Sequence, residues 1–185
     1  MKKQHSVGVV VLIFVATFAI MPDSVAAERD PANYVGPMMC GICHKSQDTG
    51  DAFGKWQASP HAKAFETLGT PAAKELGKKL GIDDPQKSGK CLKCHSTAYN
   101  FTESIATEKI KPELGVTCES CHGPGKGYMP KSTMEDRAKS IAGGMIFPAT
   151  QSCTLCHNPQ APNFKGFDET AMFAKIAHPD PKVKH

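Results

Sequence analysis

The sequence predicts a mainly α fold of short helices and loops, with little or no sheet, and three observations carry that expectation. Its 185 residues leave room for a single domain. Helix caps and stops recur along the chain between stretches rich in Pro, Gly and Lys. The eight cysteines fall in four identical pentads, each of which calls for a bulky group in the interior that short helices and loops wrap more readily than extended strands do. With 22 Lys and Arg against 18 Asp and Glu, 14 Pro and 16 Gly, the composition excludes collagen, a coiled coil and a long polar disordered tail. A net charge of +4 leaves no concentrated nucleic-acid footprint.

The elements follow in order along the chain. Lys2 and Lys3 precede an uncharged apolar run from Val7 to Met21, and Val25-Ala26-Ala27 supplies the small residues of a cleavage site. This pattern predicts an export signal over residues 1–27, cut after Ala27, and a mature single domain over 28–185. The 15-residue run is shorter than the roughly 20 residues needed to cross a bilayer, so a soluble periplasmic product without a transmembrane segment is expected. Ser59-Pro60 reads as a cap and first helical residue leading into His61 to Leu68, and Thr70-Pro71 does the same for a helix running to Leu80 with Gly81 as its stop. Ser132 and Glu135 make a capping box for a helix ending at Gly143-Gly144. Asp168 caps a last helix through Ile176, which Pro179 terminates. Loops are expected over Ile82 to Lys90 and Gly123 to Lys131.

The cysteines occur only as Cys40-Gly41-Ile42-Cys43-His44, Cys91-Leu92-Lys93-Cys94-His95, Cys118-Glu119-Ser120-Cys121-His122 and Cys153-Thr154-Leu155-Cys156-His157. Two thiols at this spacing add to the two vinyl groups of one haem, and the imidazole that follows reaches the iron from one face. A disulfide framework places no demand on the residue after each second cysteine, zinc sites need no His at that one offset, and a thioredoxin-like motif occurs once. His is about 4% of the chain, so its accidental presence after all four pairs has a probability on the order of a few in a million. The sequence therefore predicts four haem c groups, bound through Cys40, Cys43, Cys91, Cys94, Cys118, Cys121, Cys153 and Cys156, with His44, His95, His122 and His157 as proximal iron ligands. First cysteines spaced by 51, 27 and 35 residues exclude a simple tandem repeat.

The distal ligands are fewer than the irons. Beyond the motifs the mature chain carries only His61, His178 and His185, so at least one iron takes Met, another side chain, a His from a partner molecule or nothing. His61 stands among Ala62, Ala64 and Phe65, and His178 follows the apolar Met172, Phe173 and Ile176, surroundings that suit a porphyrin face. His185 is the last residue, where chain ends fray. Met129, Met134, Met145 and Met172 read first as packing residues.

The order of a Cys-x-x-Cys-His motif, then Trp56-Gln57-Ala58-Ser59-Pro60-His61-Ala62-Lys63-Ala64, then Gly115-Val116-Thr117-Cys118-Glu119-Ser120-Cys121-His122-Gly123-Pro124-Gly125 resembles the cytochrome c-554 family over most of the mature chain. That family includes the soluble tetrahaem acceptor of electrons from hydroxylamine oxidoreductase in ammonia-oxidising bacteria. The resemblance implies a mostly helical chain with closely spaced haems, three of them bis-His ligated and the haem of the second motif high-spin and open. It places distal ligands on His61 and His178 and makes the haem of Cys91, Cys94 and His95 the open site. The family's third distal His, shortly after Gly-Pro-Gly, has no counterpart in Lys126-Gly127-Tyr128-Met129-Pro130, which leaves Tyr128, Met129, His185 or another molecule as substitutes.

The expected function is that of a periplasmic tetrahaem cytochrome c carrying single electrons between a redox-protein donor and acceptor, an electron carrier rather than an enzyme. Two alternatives stand beside it: a haem enzyme acting on a small nitrogen ligand such as nitric oxide or hydroxylamine at an open iron near His95, and a polymeric conductor with a distal His such as His185 supplied in trans. Propionates and ferric iron bring the mature protein's charge to about −1, so the basic apoprotein misleads about partners. Lys74, Lys78, Lys79, Lys87, Lys90 and Lys93 are read as a solvated face before a docking patch.

Overall fold

Every helix among the described residues is short, because caps, glycines and the cysteine motifs interrupt the sequence every few residues. The computed structural model describes residues 30–100, 102–147 and 150–181. The expected signal over 1–27 and the candidate ligand His185 lie outside the described residues. Ten α-helices occur among the described residues: α1 (Pro37–His44), α2 (Ala52–Ala58), α3 (Ala64–Leu68), α4 (Pro71–Lys79), α5 (Gly89–His95), α6 (Cys118–His122), α7 (Lys131–Met134), α8 (Arg137–Ala142), α9 (Thr150–Thr154) and α10 (Glu169–Ile176). The expected mainly α class holds. Among the described residues, extended pairing is limited to a tight antiparallel hairpin in which β1 (Tyr99–Asn100) meets β2 (Glu103–Ser104), with Tyr99 opposite Ser104 and Asn100 opposite Glu103. Among the described residues, no helix is long and apolar enough to cross a membrane.

Several caps form as the sequence predicts. The Thr70 side chain accepts the Ala73 N–H at the start of α4, and Gly81 beyond its end adopts φ +67°. Asp168 accepts the Ala171 N–H and opens α10, which ends at Ile176 with His178 and Pro179 in the exit.

Two caps do not. The Ser59 hydroxyl donates to the Trp56 carbonyl at 2.7 Å and so closes α2 instead of opening the next helix. His61 consequently lies in a turn, and α3 begins only at Ala64. Ser132 sits inside α7, while Glu135 pairs with Lys131 at 3.7 Å rather than reaching back to a cap. Asp136, in extended conformation, accepts the Lys139 N–H and starts α8 as a separate helix, so the expected single helix is two.

The polypeptide's own core is small. A cluster of Tyr34, Ile105 and Ile110 is buried, with Val35, Leu68, Ile82, Leu92, Ala98 and Tyr128 buried elsewhere. Large apolar side chains stand exposed: Met38, Met39, Ile42 and Leu155 beside or within the motifs, and Phe164, Met172 and Phe173 in the segment after the fourth. Ile42 and Leu155, at 63% and 56% exposure, each stand two residues after the first cysteine of a pentad, on the side turned away from the cysteines and the histidine.

Candidate haem sites

In a helix, residues at i, i+3 and i+4 share one face, so a helical Cys-x-x-Cys-His presents both thiols and the imidazole together. The first motif lies in α1, the second in α5, and the third is α6. The fourth starts in α9 and continues as a turn in which the Cys156 and His157 N–H groups donate to the Cys153 carbonyl at 3.2 and 2.9 Å.

The fold brings both non-motif histidines among the described residues, His61 and His178, against motif histidines. The rings of His61 and His157 have centroids 6.0 Å apart at an interplanar angle of 71°, and those of His122 and His178 are 5.9 Å apart at 68°. An iron held by two imidazoles, each at a metal–nitrogen distance of about 2 Å, spaces the ring centroids by roughly 6 Å. Both pairs therefore fit an axially ligated haem. His44 and His95 belong to no such ring pair among the described residues.

Backbone carbonyls orient several of these rings. Nδ1 of His95 lies 2.8 Å from the Ala64 carbonyl, Nδ1 of His122 lies 3.1 Å from that of Ile146, and Nδ1 of His178 lies 2.8 Å from that of Ile176. A carbonyl only accepts, so each Nδ1 carries the proton and leaves Nε2 as the free ligand nitrogen. The His157 ring is stacked on Phe167 with centroids 4.8 Å apart. Burial, and then the facing His157, push the pKa of His61 down; burial does the same to His122, against the Ile146 carbonyl and together with His178 and His44. Both shifts favour the neutral ring, the form that metal binding requires.

The turn bearing His61 is fixed by the segment that enters the third motif. The Val116 N–H donates to the His61 carbonyl at 2.9 Å, and Trp56 Nε1–H donates to the Val116 carbonyl at 2.8 Å. Gly115, at φ +66°, permits this approach, since a Cβ there would fall 2.6 Å from the His61 carbonyl oxygen. A hydroxyl chain joins the second motif to the third: Thr97 Oγ1 accepts the Thr117 N–H at 2.7 Å and lies 2.6 Å from Ser120 Oγ. His178 is placed by contact of its own exit segment with Gly50 at φ +82°, where any Cβ would overlap the Pro179 carbonyl.

Thiols of different motifs lie side by side. Cys118 donates a hydrogen bond to Cys40, which lowers the Cys40 thiol and raises its own; Cys156 does the same to Cys94, lowering it to about 7. Cys121 is raised by burial and then by nearby Cys153. The motifs thus neighbour one another as first with third, second with fourth, and third with fourth.

Glu119, inside the third motif, has the least expected role. It is buried, and its carboxylate accepts the N–H groups of Val35, Gly36 and Gly125 at 2.9, 2.9 and 2.8 Å. The one signal for this role in the sequence is an acidic side chain set between two cysteines. Tyr99 donates to the Thr102 carbonyl at 3.1 Å. Tyr128 is buried and donates to the Gly123 carbonyl at 2.7 Å, whereas Met129 is exposed. Of the lysines, Lys74, Lys78, Lys79 and Lys90 are exposed on α4 and α5, and Lys87 pairs with Asp84 at 3.4 Å. Surface hollows of about 350 and 390 Å³, around Lys111 and around Ile82, contain none of the motif residues.

The profile of the family described as "Cytochrome c554 and c-prime" matches residues 39–123, which span the first three motifs. Cytochrome c-554 of Nitrosomonas europaea is 31% identical to this chain over 172 residues, covering 84% of the chain and 70% of the relative. No solved structure matches the chain.

Proposed function

Because the chain belongs to the cytochrome c-554 family, and so is a c-type cytochrome of electron transfer with covalently bound haem, we propose that it is an exported tetrahaem carrier of single electrons between redox proteins. The observation that carries this reading is the pair of facing imidazoles, His61 with His157 and His122 with His178, at the spacing of an axially ligated iron.

In this reading Cys40 and Cys43, Cys91 and Cys94, Cys118 and Cys121, and Cys153 and Cys156 each anchor one haem, with His44, His95, His122 and His157 as proximal ligands. His61 is the distal ligand at the fourth motif and His178 at the third. Bound haem supplies the one-electron ferric–ferrous couple. The carbonyls of Ala64, Ile146 and Ile176 hold the Nδ1 protons of His95, His122 and His178, so that each ring keeps one tautomer. The adjacency of thiols supports a continuous order of first, third, fourth and second motif for passing electrons through the protein.

A second reading is favoured by a specific observation: among the described residues His44 and His95 face no other imidazole. Irons at these two sites are candidates to bind a small nitrogen ligand such as nitric oxide or hydroxylamine. Tyr128 is committed to the Gly123 carbonyl, which leaves Met129 and His185 as candidates of this chain at the first motif.

The test is purification from a host that matures c-type cytochromes. Four haems per chain, a periplasmic product beginning at Glu28 and at least two low-spin ferric signals in paramagnetic resonance are expected. A haem count other than four, or high-spin iron alone, overturns the reading. Titration with carbon monoxide then counts open irons, with up to two per chain supporting the second reading and none rejecting it.

A further inference from the structure

Glu119 is a charged side chain only 3% exposed, held by three backbone N–H groups and, among the described residues, by no cation in hydrogen-bond contact. Its donors come from two directions. Val35 and Gly36 are the residues immediately before α1, which bears the first motif, and Gly125 follows α6, which is the third. The carboxylate therefore stitches together the approaches to two haem sites, and its own backbone neighbour is Cys118, whose sulfur lies beside that of Cys40. Two carboxylate oxygens facing three N–H donors form the environment of an anion.

Nothing in electron carriage requires a buried anion at this point. An apolar residue of similar size would avoid the cost of removing a charge from water but would leave the three N–H donors unpaired, so the carboxylate both ties these segments together and sets a charge between them. The charge is felt by its surroundings. Burial raises the Tyr128 hydroxyl first, and the charge of Glu119 raises it further.

We infer that Glu119 is a built-in anion that lowers the reduction potentials of the haems at the first and third motifs. The inference rests on the proposed reading of the chain as a multihaem electron carrier. A ferric haem core carries a net positive charge and a ferrous one none, so a nearby fixed anion stabilises the oxidised state. Out of water the effect is weakly screened, and it acts without touching the iron, as groups around a metal centre do. Electrons entering the protein would settle preferentially on the haems of the second and fourth motifs, leaving the other two as the reducing end.

The test is a potentiometric titration of the holoprotein and of Glu119→Gln, followed by optical and paramagnetic resonance spectra. Counting haems in the wild type comes first: a chain without four redox-active haems defeats the reading beneath the inference, independently of Glu119. With that count in hand, two of the four midpoint potentials are expected to rise in Glu119→Gln while the other two stay. A purely structural role gives the opposite sign, because loosened packing admits water, which favours the charged ferric state and lowers potentials. Potentials that are unmoved, lowered or shifted equally at all four haems overturn the inference. Should Glu119→Gln yield no holoprotein, Glu119→Asp decides: one methylene shorter, its charge retreats from Val35 and Gly36 toward α6, so one midpoint rises and another falls, and two static midpoints refute the assignment.

Discussion

At the scale of single residues, the histidines divide by their partners. The fit of His61 to His157 and of His178 to His122 predicts that His61→Ala and His178→Ala each convert one low-spin haem to high-spin, with added imidazole restoring low spin. Resonance spectra of the two variants check this, and an unchanged low-spin count in either removes that ligand assignment. Tyr128 makes a contrasting case. Its hydroxyl is bound to the Gly123 carbonyl, so Tyr128→Phe should leave every haem spectrum unchanged and cost about 1–2 kcal/mol, from the buried carbonyl left unpaired. Burial and then Glu119 raise its pKa in the folded protein. The neutral phenol is thus favoured by folding, so its contribution is complete below the unfolded value of about 10 and is lost as pH rises beyond it toward the folded value. Denaturant midpoints of the holoprotein between neutral and strongly alkaline pH should fall more steeply in the wild type than in Tyr128→Phe, and parallel curves would refute the assignment.

At the scale of elements, the segment from Asp168 to Pro179 delivers His178, and two contacts outside the haem motifs set its position. Asp168→Ala should destabilise by about 1 kcal/mol through loss of the α10 cap. Gly50→Ala should do more damage at His178 itself, because it combines a left-handed φ with overlap of the Pro179 carbonyl. The measurement is the fraction of high-spin iron, expected to rise in Gly50→Ala and to change little in Asp168→Ala; the reverse order would mean that the cap rather than the Gly50 contact seats the histidine. Asp168 and Thr70 were legible as caps because each precedes its helix with an oxygen one turn from an N–H. Ser59 and Ser132 were not, since a serine's hydroxyl donates as readily as it accepts. At Ser59 the Trp56 carbonyl took the proton, and near Ser132 the stronger acceptor Asp136 opened the helix instead.

At the scale of the whole molecule, the same division appears between what is local in sequence and what is made by folding. Each of the four pentads writes its proposed haem attachment in five consecutive residues, so the proposed anchors and proximal ligands are readable at once. Which distal His meets which motif depends on a turn at His61 being clamped by Val116, 55 positions away, and no local pattern records that. The burial of Glu119 is likewise a consequence of α6 meeting the chain before α1. The interior itself follows this logic. None of the described helices exceeds nine residues, below the length of about 12 at which an isolated helix becomes even marginal in water. The buried apolar residues form only a small cluster and scattered positions, while Met38, Ile42, Leu155, Phe164 and Phe173 stand open. Haem must therefore serve as core as well as cofactor. A chain produced without haem attachment, by expression where no maturation machinery acts, should bind an apolar dye, lose helical circular dichroism and melt without a cooperative transition, whereas the holoprotein melts sharply. A haem-free chain with a sharp melt and native helix content would show that the polypeptide supplies its own core, and would leave the exposed apolar side chains to be explained by a partner.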